Sequence, residues 1–541
     1  MASYFSLHAY DADVWVREFK GLNQADESLN SDPRYATETL NVETPGGVLQ
    51  PNAGYEILDG EFTGRVETLA SFHRRWYTGP GSKNFLVCGT GGKLYCRQQD
   101  DETGWIQIAF PTGVTSYLNN VWSWVTYEKN VVIGDDNVTV DVLLMSNADD
   151  GMIMVIPPDK PKTWQDAIDQ NLTWANDDNE TWQDEVTSTW TVQAIDTRYD
   201  PSDSDEPQKK FAVIERFAER IFGCGVPDEP DTIYYSQAYD PTNWESEADI
   251  PEDSAGEIRQ PSWDGDSFCA LKAFGNQLLA FKKNRVWRLA GTYPGEYAMS
   301  EQYGGGAQYP ATVAVDVERV LMAGNDGMSS YDGMSVTPYI RDQIRDIWKT
   351  VNRDALDQMC AVLFKNRYYL SIPVDGSSVN NAFLVVNNDE GTILYYKDMK
   401  IESLMASDER LYATSSSLPG RVLTIGYDSW SRGKSSGAAT RWVSPWMDFG
   451  YKRIQKGGFD LYFLGEVQDL AVTLKFSIQT EKKTKTKLFT VQRTEREHRM
   501  KRLHFGGTGR RFRIIIETGE GNKAPWRLIG GLQLVVETDP D

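Results

Sequence analysis

The sequence predicts an all-β protein: a six- or seven-bladed β-propeller with an extended N-terminal arm and a C-terminal β-sandwich of jelly-roll type. Three observations point there. A hairpin recurs along the middle of the chain, aromatic residues make up 12% of the composition and sit in short turn-bounded runs, and strict two-residue alternation takes over near the C terminus. At 541 residues the chain exceeds what one core organises, so several domains are expected.

The arm is assigned to residues 1–64. Its stretch "GLNQADESLNSDPRYATETLNVETPGGVLQPNAGY" (residues 21–55) is saturated with turn formers, and Leu22, Leu29, Leu40, Val42, Val48 and Leu49 are too sparse to build a core of their own. Such a segment is expected to lie over a β scaffold or over a neighbouring subunit.

Residues 65–430 carry the repeat. A polar pair, a short apolar strand, a turn and a second strand recur in seven copies that begin at Lys83, Lys129, Glu219, Asn276, Glu318, Asn366 and Glu409. Four of the intervals, 46, 42, 48 and 43, fall in the range of a four-stranded propeller blade. A hairpin cannot bury its apolar face alone, and stacking blades in a ring completes the core while leaving only short edges. A pair of ordinary β-sandwiches is the alternative, since irregular hairpins recur there too. The interval of 90 contains an insertion, placed at about 157–207. It carries four Thr-Trp pairs, at Trp164, Trp174, Trp182 and Trp190. Trp offers a large apolar face at little entropic cost, so these are candidate contacts with a partner or a sugar; equally, they anchor the insertion to its own blade. In "YIRDQIRDIWKTVN", Ile340, Ile344, Ile347 and Trp348 share one face of a short helix between blades.

Near "YDSWSRGKSSGAATRW" a Gly/Ser linker ends the repeat, and the sandwich is assigned to 438–541. In "LAVTLKFSI", Leu470, Val472, Leu474, Phe476 and Ile478 alternate with polar residues. Strands are expected near 459–464, 470–478, 486–491, 500–505, 512–517 and 528–537.

Charge is uneven. The net value is −23, yet residues 451–514 hold 16 basic and 6 acidic residues, a local +10. The bulk acidity argues against coating nucleic acid or anionic membranes, and the asymmetry suits stacking of unlike faces. The basic residues concentrate at expected hairpin tips: Lys482, Lys483, Lys485 and Lys487 in "EKKTKTKLF", Arg510 and Arg511 in "GGTGRRFR". They are candidate contacts for an acidic partner or for phosphate, without the interleaved aromatics of a base-stacking platform.

No catalytic, cofactor or metal site is expected. "GKSSG" (433–437) matches a nucleophile elbow in form but lies in the linker, and "GTGGK" (89–93) reads as a hairpin turn rather than a phosphate loop. His8, His73, His498 and His504 show no ligand spacing, and the acidic run 200–206 lacks the EF-hand pattern. Cys88, Cys96, Cys224, Cys269 and Cys360 read as buried free thiols of a reducing compartment, although Cys88 and Cys96 flank one turn. No stretch approaches a membrane span, and the N terminus lacks a secretory pattern, so synthesis in the cytosol is expected.

The run "REFKGLNQADESLNSDPRYATETLNVETPGGVLQPNAGYEIL" (residues 17–58) resembles the start of tail proteins of short-tailed bacteriophages, where a "GLN...P...A...NV...G.L..R.G" pattern precedes a β-propeller. "NQLLAFKKNRVWRLAG" and "NDGMSSYDGMSVTPYI" look like blade hairpins of the same hub or nozzle proteins. The chain departs from the pattern with Gln50, where a basic residue is common. The resemblance implies a non-enzymatic virion protein, a homo-oligomer with a ring of usually six subunits that continues or closes the DNA channel. It implies contact with portal-adaptor and other tail proteins, and genomic DNA passing without sequence-specific binding. The expected arrangement lines the channel with the acidic propeller and turns the basic sandwich toward a partner. A receptor- or carbohydrate-binding tail-tip propeller is the alternative function, with a propeller glycosidase behind it.

Overall fold

The computed structural model describes the chain except residues 1–4, 9–10, 26–30, 59, 75–82, 100–103, 112, 134–135, 157–189, 249, 262–264, 408, 427, 433, 449–454, 469–470, 493–499 and 540–541. Seven four-stranded antiparallel sheets follow one another along the chain. They are blades 1 (66–107), 2 (123–194), 3 (213–259), 4 (268–302), 5 (314–339), 6 (360–397) and 7 (401–425). Blade 7 takes its fourth strand, Tyr55–Ile57, from the far end of the chain. Each blade contributes one copy of the repeat, which settles the blade count at seven.

The polar pairs mark the turns between first and second strands. A two-residue hairpin that follows the natural strand twist needs φ > 0 at its central residues. Ala218 and Glu219 (φ 47° and 59°) and Lys365 and Asn366 (φ 47° and 56°) meet that need. The second copy is out of phase: Lys129 lies within the first strand of blade 2, Ser123–Ile133.

Blade faces bury into both neighbours. In Arg367–Ile372 of blade 6, Tyr368, Leu370 and Ile372 join the core shared with blade 5, and Tyr369 points the other way into the core shared with blade 7. A two-residue period with apolar residues on both faces reads as a continuous apolar run, as in Ala382–Asn387, where all six residues are buried. Seven such clusters occupy the seven interfaces, including blade 7 with blade 1, so the ring closes. The first strands of successive blades meet one another, which places them innermost.

The sandwich consists of two five-stranded sheets. All six expected C-terminal strands are present, as Gln455–Val467, Val472–Thr480, Thr484–Val491, Lys501–Gly509, Phe512–Thr518 and Trp526–Asp539. The arm does not stand apart from it. Asp11–Val16 pairs with Trp526–Asp539, and Glu38–Leu40 pairs with Thr440–Val443, so both sheets include N-terminal strands. The arm residues Val14, Val16, Phe19, Val42 and Leu49 sit in the sandwich core, where Phe19 meets Trp442 edge-on at 5.1 Å.

Between these strands the arm lies across blade 6 of its own chain. Leu22 is buried in the core between blades 5 and 6, and its N–H donates to Ile393 O at 2.6 Å. Gln24 Oε1 accepts from Asp346 N (2.9 Å) at the start of the helix Arg345–Thr350. That helix is shorter than its sequence pattern: Ile344, Ile347 and Trp348 are buried, while Ile340 lies before it with φ 45°. The linker is likewise pinned, with Ser436 N–H donating to Asn52 O and Ser435 N–H to Lys523 O. Among the described residues no helix is long and apolar enough to cross a membrane.

Gly21 is the tightest point of this clamp, because a Cβ there would stand 2.2 Å from Ile393 O, a backbone atom that cannot swing away. Gly21→Ala is therefore expected to lift the arm from blade 6 and lower stability by about 1–3 kcal/mol. Chemical unfolding measures the loss, and faster proteolytic cleavage within residues 17–54 locates it.

Candidate functional site

The basic residues singled out by sequence come together at one end of the sandwich. Thr484–Val491 is the edge strand of one sheet and Lys501–Gly509 the edge strand of the other, on the same side of the sandwich. Lys485 and Lys487 pair in register with Ile478 and Phe476, whose side chains face the sandwich interior. The two lysines therefore point inward, into the gap between the sheets, and the Lys487 ammonium stands 5.9 Å from the centre of the Phe505 ring. The result is a cleft of about 550 Å³ with Phe459, Ile478 and Phe505 at its floor and Lys482, Lys483, Lys485 and Lys487 around it.

Two turns are lashed together at its end. Glu481 accepts from the backbone N–H groups of Arg510 (2.7 Å) and Arg511 (3.0 Å), so the two basic tips share one corner. Partial burial alone would raise the Glu481 carboxyl, but these two donors hold it below its ordinary value. Close approach requires Gly509, where a Cβ would meet Thr480 Cβ at 2.6 Å. Beneath the corner Lys456 is fully buried and donates to Arg510 O at 2.9 Å; burial lowers its ammonium from the usual lysine range against the pull of Asp448 and Glu481. Lys482, Lys483, Lys485 and Lys487 form no ion pair with any described residue.

The tryptophan expectations divide. Trp164, Trp174 and Trp182 lie outside the described residues. Trp190 is not a surface contact: it is 5% exposed and packs on Phe72 (5.8 Å) and Phe85 (4.9 Å) between blades 1 and 2. It opens the fourth strand of blade 2, Thr191–Ala194, so the expected insertion at 157–207 ends early, and residues 195–207 lead into blade 3 with Ile195 in the core.

The motif-like strings fall into structural roles. "GTGGK" spans the turn between Lys83–Thr90 and Lys93–Gln98. In "GKSSG", Ser435 Oγ donates to Asn522 O (3.0 Å) and Ser436 Oγ to Asn52 Oδ1 (2.5 Å), which ties both hydroxyls to the scaffold. Cys88 and Cys96 lie on opposite faces of blade 1, one in the core toward blade 7 and the other toward blade 2. Four of the five thiols are buried, and Cys269 is half-buried. Among the described residues no group of His, Cys, Asp and Glu could hold a metal ion. On the innermost strands Glu402 pairs with Arg65 (3.0 Å) and Glu215 with Lys272 (3.3 Å). Burial pushes both carboxyls up, against these cations.

Three buried polar sites escaped sequence reasoning. Arg220, part of the third repeat's polar pair, is 1% exposed and donates to Ser236 O, Ser254 O and Glu252 O, closing the short turn Pro251–Asp253. Lys282 bridges blades 4 and 3 by donating to Asp231 Oδ1 (2.6 Å) and Gln260 O (2.9 Å). The third is Glu43, in the arm. It is 2% exposed and accepts from Ala53 N–H at 3.3 Å, while Gln50 Nε2 donates to Asp428 Oδ1 at 3.0 Å and lies 3.5 Å from Glu43 Oε2. Gln50, the departure from the tail-protein pattern, thus sits as a neutral amide between the carboxyl groups of Glu43 and Asp428. Burial pushes the Glu43 carboxyl up to about 8, against the opposing pull of the Arg367 guanidinium. No local pattern marks these three, since their partners come from distant turns.

The strand pairing defines a seven-bladed β-propeller joined to a β-sandwich, a nearly all-β protein among the described residues. No family model and no curated protein matches the sequence. Among solved structures the chain is similar to the WD40 domain of Pan2 from Neurospora crassa, at 9% identity over 68% of this chain and 90% of that one, with a TM-score of 0.33. It is also similar to an exo-β-1,3-galactanase from Phanerochaete chrysosporium, solved with galactose, at 12% identity over 60% and 94%, with a TM-score of 0.22. Neither likeness bears on what this protein does.

Two outcomes follow from the buried groups. Trp190→Ala should cost about 3–5 kcal/mol of folding stability, as for other buried large-to-small changes, and leave any self-association of the folded fraction unchanged; unfolding curves and sedimentation separate the two effects. Glu43 holds its proton above its ordinary value of 4.5, so the folded state binds more protons than the unfolded one between there and about 8. Stability from this group is full at low pH and is lost as pH rises through that window. Glu43→Gln should flatten that part of the stability profile in urea unfolding at a series of pH values.

Proposed function

We propose that this protein is a structural subunit of a bacteriophage tail, a hub or nozzle component that assembles with copies of itself into a ring continuing or closing the DNA channel. The reading starts from the tail-protein pattern of residues 17–58, and the observation that carries it is what those residues do. Gly21 and Leu22 lock onto blade 6, and Val42 and Leu49 fill the sandwich core. Asn41, at φ 54°, donates to Ala439 O and accepts from Lys397 N–H, both at 2.9 Å, and Gly54 O accepts from Gly426 N–H. Positions of the pattern that hold the segment against the propeller have a structural reason to be there, which supports kinship with proteins in which the same pattern precedes a propeller.

The rest of the molecule is in keeping with a non-enzymatic role. Ser435 and Ser436 of the linker motif are tied to the scaffold, four of the five thiols are buried, and the carboxylates Glu215 and Glu402 of the innermost strands are paired with cations. A propeller dominated by acid repels DNA phosphates, which favours passage of a genome over its retention. The virion tail is the corresponding location, with the host cytoplasm as the site of synthesis, and portal-adaptor or other tail proteins are the corresponding partners.

Purified full-length protein should form a closed ring with a central bore, seen by negative-stain imaging and counted by native mass measurement. A monomer that binds glycans would replace this reading with a receptor-binding propeller.

A further inference from the structure

The molecule is electrically two-ended, and the two ends lie on opposite sides of the propeller. The basic end is the sandwich cleft. The sandwich and the arm attach at the outer strands of blades 6 and 7: Glu38–Leu40 and Val42–Glu43 contact Thr392–Lys397 of blade 6, and Tyr55–Ile57 is the outermost strand of blade 7. In a ring of seven, blade 3 is three steps from blade 6 and three steps from blade 7, so it faces away from the sandwich.

Blade 3 is the acidic end. Residues 195–260 contain 17 acidic against 6 basic residues, a net of −11. Asp205, Asp228, Glu245, Glu247, Glu252 and Glu257 are all exposed. The loops that carry Asp205, Glu245, Glu247 and Glu252 form one rim. Ser246 N–H donates to Tyr199 O, Ala255 N–H to Glu245 O and Ala238 N–H to Asp253 O, while Glu206 accepts from Tyr199 N–H.

We propose that the basic cleft of one copy docks on the acidic blade 3 rim of the next, making a head-to-tail contact between copies of this chain. Inward-pointing lysines on an edge strand guard against stray strand pairing, and that role accounts for Lys485 and Lys487. It leaves unexplained why Lys482, Lys483, Arg510 and Arg511 gather at the same corner, and why the compensating carboxylates sit on the far side of the propeller. A heterologous contact uses both ends of every subunit, and repetition closes into a ring when the rotation permits. The proposal deepens the ring reading above and rests on it only for closure; the contact itself makes a separate claim.

The test uses two charge-reversed full-length variants. One carries Lys482→Glu, Lys483→Glu, Lys485→Glu and Lys487→Glu; the other carries Asp205→Lys, Glu245→Lys, Glu247→Lys and Glu252→Lys. Unfolding curves first establish that each variant is folded, with the corresponding fourfold Ala variants substituted for any that is not. Sedimentation should find native self-association weakened by high salt, and each variant alone weakened at least about a hundredfold by like charges brought together. Mixed in equal amounts, the two should associate again, because each acidic face then meets a basic one in both directions; an Ala pair would show the weakening in each variant alone and, on mixing, would recover pairs but no longer assemblies, because only the unaltered cleft of one and the unaltered rim of the other still match. Association of either reversed variant at native strength overturns the proposal, as does failure of the reversed mixture to recover. If rings persist while the lysine variant instead loses binding to a duplex DNA oligonucleotide, the cleft is a phosphate site and the ring reading stands without this contact. A native chain that stays monomeric at low salt and high concentration removes both.

Discussion

The structure depends on three N-terminal strands being paired with parts of the chain that lie hundreds of positions away. Asp11–Val16 and Glu38–Leu40 each supply a strand to one sheet of the sandwich, and Tyr55–Ile57 supplies the last strand of the propeller. Neither module is complete without them. A propeller whose last blade lacks its outer strand presents an unpaired edge, and closing that edge with a strand from near the opposite terminus removes the liability. The same segment carries Leu22 into the core between blades 5 and 6, so the arm joins the two modules by burial as well as by backbone pairing.

This coupling explains why polar groups are buried where the modules meet. Asn41 serves both the outer strand of blade 6 and the linker, and Glu43 and Gln50 face Asp428 across a junction built from three separate stretches of chain. A buried polar group is tolerable when its partners are fixed, and here the partners are fixed only when both modules have formed. The arrangement favours one relative placement of propeller and sandwich over sliding alternatives that would strand a carboxylate or an amide. The same junction holds the sandwich, with its basic cleft, and the propeller, with its acidic blade 3 rim, in one relative placement.

Function, on this view, resides in surfaces. The buried reactive groups serve the fold: Lys282 and Asp231 pair between blades, Arg220 gathers carbonyls, and the thiols fill blade faces. The surface carries a basic end and an acidic end, held in place by Glu481 at one and by the hydrogen-bonded loops around Tyr199 at the other.

By itself the sequence determined the local pieces. Two-residue periodicity, turn-forming polar pairs and the spacing of the copies specified the blades and all six C-terminal strands, because strand patterning and hairpin turns depend on neighbours in the chain. The clustering of lysines on one hairpin was equally legible. Tertiary structure alone decided what distant residues do to one another: that the arm completes both modules, that Trp190 is core, that "ER" at Glu219 and Arg220 hides a buried guanidinium, and that the two charged ends oppose each other. These facts turn on ring closure and on pairing across some 400 positions, as between Glu38 and Val443, and no local period encodes such contacts.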